Sequence, residues 1–193
     1  MSRKKFDFRP DRMESSLANK LYLTPHQRKK MLRWTLYALS FVIALIVQDS
    51  MLAKLRLFGG VIDLAPCTVA LICILEGSES GSLFALLCSV FFVFSGTAPG
   101  SYCVAFLTLY SVLAALFREN FLRRSFSSTW LCAGAVMILY EISVFLVGVF
   151  LGNTYPGRFP VFLTTGLLDA AVIPLLCPQM GWIGKIGGET WKE

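Results

Sequence analysis

Six apolar runs, at residues 33–53, 60–76, 81–97, 101–117, 129–151 and 161–178, take up most of the chain and decide what it can fold into. Inside hydrocarbon no water remains to satisfy backbone N–H and C=O groups, so such runs cross as helices that bond internally. A crossing helix needs about 20 predominantly apolar residues. The second to fourth runs are short, and Asp63, Pro66, Pro99 and Gly100 interrupt their ends. One of them could be re-entrant, which leaves five crossings open beside six. The pattern predicts an all-α integral membrane protein, a compact bundle of about six transmembrane helices over residues 33–180. A basic arm (1–32) precedes it and a short tail (181–193) follows.

Composition agrees. Of the 193 residues, 55% are hydrophobic and only 16% charged, with mean hydropathy +0.64, against about a quarter charged in soluble domains. The net charge of +6 does not point to nucleic acid, because ten of the eighteen Lys and Arg lie in residues 1–33. That cluster reads as a cytoplasmic flank meeting anionic lipid. With the N-terminus inside, fifteen of the eighteen basic residues fall in cytoplasmic segments and only Lys54, Arg56 and Arg158 outside. Both termini are therefore expected in the cytoplasm of a multi-pass protein of the cell membrane. Thr24, Pro25 and Gln27 have the form of a capping box. The helix they start should carry Arg28, Lys29, Lys30 and Arg33 through the headgroups, with Trp34 at the interface.

The inventory for catalysis is poor. Cys67, Cys73, Cys88, Cys103, Cys132 and Cys177 all lie in or beside apolar runs and form no C-x-x-C pair, and His26 is the only histidine. Zinc needs four donors at local spacing, so the cysteines read as small packing residues. There is no G-x-S-x-G and no phosphate loop. No enzyme activity, metal or cofactor is expected. No cleavable signal is expected either, since the first apolar run begins after thirty-odd polar residues.

Two acids lie in apolar surroundings. Glu141 is near the middle of run 129–151, and Asp169 near the centre of run 161–178. An ionised side chain there is costly, by at least roughly 2.5–3.5 kcal/mol. Gly134, Glu141 and Gly148 recur every seven residues, and small residues on one stripe let a second helix approach, so Glu141 should face the bundle. On consecutive antiparallel helices the two carboxyls could meet. They could form a proton or cation site or a polar pocket. The simpler expectation is a protonated pair fixing helix packing, satisfied by Tyr140, Thr164, Thr165 or Tyr110. Asp49 and Asp63 read as interfacial acids near Lys54 and Arg56, and Glu76 and Glu79 as solvated charges in a turn.

The order of features resembles the MreD family of rod-shape-determining membrane proteins. The first span ends "IVQDSMLAKLRLFGGVIDL", followed by "ALICILEGSESGSLFALLCSVFF" and "SGTAPGSYCVAFLTLYSVLAALF". Gln48 stands where that family closes its first helix on a polar residue. Gly60, Asp63 and Leu64 match its "G-x-x-P-D-L" element, with Ile62 in place of proline, and Gly77 and Gly81 match its glycine-bearing turn. "FFVFSGT" departs from the aspartate many members carry there, and Glu141 is not a family feature. The resemblance implies a non-catalytic inner-membrane component of the cell-elongation machinery, without a cofactor. Its partners would be an MreC-like bitopic protein, the actin-like MreB and peptidoglycan-synthesis enzymes.

It also implies a fold similar to the substrate-binding components of energy-coupling-factor transporters, which defines the alternative function, vitamin capture. A ligand pocket would then use groups near Asp63, Tyr102, Glu141 and Asp169. The small-residue spacing of Gly81, Ala85 and Ser89 could dock a coupling subunit.

Overall fold

A computed structural model describes residues 25–55, 59–122 and 125–186. The arm ahead of Pro25, including Thr24, lies outside the described residues, as do Arg56, Arg123, Arg124 and the tail beyond residue 186. Six α-helices follow one another: α1 Pro25–Ser50, α2 Leu64–Glu76, α3 Ser78–Phe94, α4 Tyr102–Phe121, α5 Phe126–Phe150 and α6 Phe159–Lys185. Four segments, Gln27–Ser50, Tyr102–Phe121, Phe126–Phe150 and Pro156–Lys185, are long and apolar enough to cross a membrane. The structure thus has the expected all-α, multi-pass character.

The two short helices do something different. At 13 residues, α2 is about 20 Å long, well under the roughly 30 Å of a hydrocarbon core. Ten consecutive residues, Ala65 to Ile74, are buried, and α2 touches all five other helices. It is apolar all round because it is the axis of the bundle. Its neighbours supply the length it lacks, so its two ends lie deep in protein.

The chain reverses between α2 and α3 at Gly77 alone (φ 91°, ψ 173°). "EGSESGS" is therefore not the loop expected, since α3 already begins at Ser78. What allows this is a pair of residues on α4. Arg118 Nη1 donates to the Ile74 carbonyl near the end of α2. Glu119 accepts from the Ser78 N–H (2.9 Å) and hydroxyl (2.8 Å) at the start of α3. A cation at a helix C-terminus and a carboxylate at an N-terminus each complement the local dipole.

α6 runs through two internal prolines, Pro174 and Pro178. Pro174 has no N–H to give the Ala170 carbonyl, and Trp130 of α5 donates its indole N–H to that oxygen instead (3.0 Å). Trp130→Phe keeps the ring and removes the donor. It should lower stability by about 0.5–1.5 kcal/mol, read as a shift in the unfolding midpoint of the detergent-solubilised protein. Gly134 packs on Ala170, and Gly166 on the Ile138 backbone and Glu141, so α5 and α6 approach closely, as the glycine stripe predicts. Gly184 near the end of α6 lies against the hydroxyl of Tyr37, halfway along α1.

Candidate functional site

Glu141 and Asp169 do face inward, 5% and 0% exposed, and a third carboxyl joins them. One oxygen from each of Asp63, Glu141 and Asp169 lies within 4.8 Å of the others. Asp63 stands at the position preceding α2, yet its side chain makes no cap hydrogen bond there. Its carboxylate accepts from Gln48 Nε2 (3.1 Å), and Gln48 Oε1 accepts from the Ala65 N–H (2.9 Å). The Asp63 N–H donates to Asp169 Oδ1 (2.8 Å). Gln48 thus satisfies an orphan donor of the first turn of α2 and holds the Asp63 carboxyl, while the Asp63 N–H holds that of Asp169.

Asp63 is therefore held inside the bundle instead of at the interface, and among the described residues it forms no ion pair with Lys54. The segment that carries it lies directly on α6: a Cβ on Gly60 would meet the Thr165 backbone N at 2.9 Å, and the Val61 N–H donates to Thr165 Oγ1 (3.3 Å). Asp49 is exposed, as an interfacial acid should be, and Leu64 is half-buried as the first residue of α2. Three of the expected hydroxyl partners of the acid pair bond elsewhere. Thr164 and Thr165 donate to the Val161 carbonyl of their own helix, the usual local bond of a helical threonine. Tyr110 pairs with Ser143 (2.6 Å). Tyr102 is half-buried with its ring edge-on to Phe106.

The chemistry of the cluster follows from its charge. Among the described residues none of the three carboxyls pairs with a Lys or Arg. Three carboxylates this close in a low-dielectric interior cannot all stay ionised unless a cation joins them.

A second polar cluster sits at the opposite end of α2. Arg33 Nη2 and Glu76 Oε2 form an ion pair at 2.9 Å, with the side chains 8% and 6% exposed. The Tyr37 hydroxyl lies beside Glu76. A cavity of about 90 Å³ opens here, lined by Arg33, Tyr37, Glu76, Arg118 and Glu119 among others. Two expectations change accordingly: Arg33 is not a headgroup anchor and Glu76 is not solvated. Arg118 is buried here as well. The short α2 brings its C-terminal residue down among the other helices, where a charge needs a partner. Arg28, Lys29 and Lys30 are exposed and Glu79 too, while Trp34 packs on Tyr37 and Phe84.

The stripe of Gly81, Ala85 and Ser89 is also internal. All three are buried, and a Cβ on Gly81 would come within 2.7 Å of the Cys73 carbonyl of α2. The stripe serves close packing inside the bundle, Gly81 toward α2 and Ser89 toward Thr108 of α4, and not a coupling subunit. All six cysteines are free and buried, as packing residues should be. No protein-family model, curated protein or solved structure matches the chain.

Proposed function

We propose that the chain is a non-catalytic membrane component of the bacterial cell-elongation machinery, holding partners together through helix surfaces and short loops, with both termini in the cytoplasm. One observation carries the reading. Gln48, Gly60 and Asp63, which carry the MreD resemblance and are spread over 16 residues of sequence, act as one unit that docks the α1–α2 connection onto α6. A motif of that kind sets helix arrangement, as a scaffold requires. The partners would be an MreC-like bitopic protein, MreB and peptidoglycan-synthesis enzymes, and the basic arm would meet anionic lipid.

Vitamin capture by a component of an energy-coupling-factor type transporter is the second reading. The convergence of Asp63, Glu141 and Asp169, where such a protein would use polar groups, favours it. Affinity capture of the tagged full chain from native membranes, with mass spectrometry of what co-purifies, separates the two. Recovery of MreC-like and wall-synthesis proteins is the expected result; recovery of ATPase subunits would overturn it. Glu141→Gln should leave that assembly nearly intact, whereas in a transporter component it should abolish uptake.

A further inference from the structure

We infer that Asp63, Glu141 and Asp169 form a binding site for one hard divalent cation of about the size of calcium, clamping the α1–α2 connection to α5 and α6. This departs from the sequence expectation of no metal and is independent of which function the chain serves.

Geometry is the first support. Oxygen ligands of a calcium ion lie 2.3–2.6 Å from it, so any two are at most about 4.6–5.2 Å apart. The three carboxylate oxygens lie within 4.8 Å of one another, inside that pairwise limit, and reach a common calcium ion by drawing in at most roughly a few tenths of an ångström. Magnesium, at 2.0–2.1 Å, would need them within about 4.2 Å.

The second support is an unpartnered acceptor. Asp169 is fully buried; its Oδ1 takes the Asp63 N–H, but its Oδ2 has no hydrogen-bond partner. A buried acceptor left bare costs free energy, and a cation bound between the carboxyls would satisfy it. The charges agree. One divalent cation and one shared proton balance three carboxylates, with no Lys or Arg of the described residues paired to any of them.

The surroundings are arranged to hold ligands in place. Gln48 orients Asp63 through one carboxylate oxygen, and the Asp63 N–H orients Asp169, the outer-shell bonding that fixes metal-ligating carboxylates. Asp63 is only half-buried while the other two are buried, so a cation would enter past it.

The test uses the full chain purified in mild detergent at neutral pH and stripped with chelator. Equilibrium dialysis against radiolabelled calcium should find one ion per chain. The unfolding midpoint should rise with calcium chloride and saturate, by roughly 5–10 °C at a hundredfold excess over Kd. Manganese chloride should act similarly and magnesium chloride more weakly. Asp169→Asn, which can keep its acceptor for the Asp63 N–H, and Glu141→Gln should each weaken calcium binding at least tenfold. A wild-type protein that binds no calcium and whose midpoint ignores all three salts sinks the proposal, and the cluster is then a proton-sharing one. Calcium binding that survives in whichever variant folds also sinks it, since the ion then sits elsewhere. Should neither variant fold, the wild-type stoichiometry and saturation decide alone.

Discussion

Arg33→Met is expected to destabilise the folded protein by about 3–5 kcal/mol, and Glu76→Leu by a similar amount, while the two together cost far less. The ion pair between them is 2.9 Å long and almost wholly removed from solvent. Taking two charges out of water costs several kcal/mol per ion, and their mutual attraction offsets this only while both are present. Either single change removes the opposite charge 2.9 Å away and leaves the other one buried beside the Tyr37 hydroxyl. The double change removes both costs and returns an apolar contact of similar volume. Unfolding midpoints of the four proteins in one detergent give the coupling energy. Additive single effects would show that the pair does not act as a unit, and that Arg33 is held by packing of its stem alone.

The same pair explains where sequence reasoning stopped. Helix existence was legible because apolar length is a local property, and so was the inward direction of Glu141, from glycines at spacing seven. The depth of Asp169 was legible by counting residues from the end of its run. What could not be read was the depth of residues at the ends of α2. Asp63 and Glu76 flank a run too short to span, and a short run looks the same whether its ends are wet or enclosed. Only the wrapping of α2 by five neighbours puts both acids inside, so both were expected at surfaces. The Gly77 reversal has the same origin. Arg118 and Glu119, more than forty residues further along, cap the two helix ends that meet there, and no local pattern announces them. Ala85 and Ser89 show the complementary case: the small-residue spacing was visible, but which helix it admits was not. Asp63 carried one usable signal, the Gln48 lying 15 residues before it in the resembling motif, because a polar residue closing a membrane helix needs a buried partner.

Gly81→Val should prevent correct assembly, with a cost beyond the 4–5 kcal/mol that marks exceptional substitutions. A Cβ at this position would approach the Cys73 carbonyl oxygen at 2.7 Å and its Cα at 2.8 Å, and both are backbone. The neighbour cannot move aside. Cys73 is fully buried, and its carbonyl accepts the Gly77 N–H that closes α2 (3.0 Å). Shifting it breaks that bond and alters the reversal through which α3 is attached. Gly81→Ala tests the same contact with one methyl and should cost at least the roughly 1–3 kcal/mol of an overpacked core. Gly181→Ala is the control. It lies within helix α6 with nothing within 4 Å of the added Cβ, so helix propensity alone should act, stabilising by up to about 1 kcal/mol. The yield of monodisperse protein after detergent extraction, followed by unfolding of whatever is recovered, ranks the three. Equal behaviour of Gly81→Ala and Gly181→Ala would mean that α2 and α3 stand further apart than this packing requires. The deep placement of Glu76 beside Arg33 would then lose its structural basis as well.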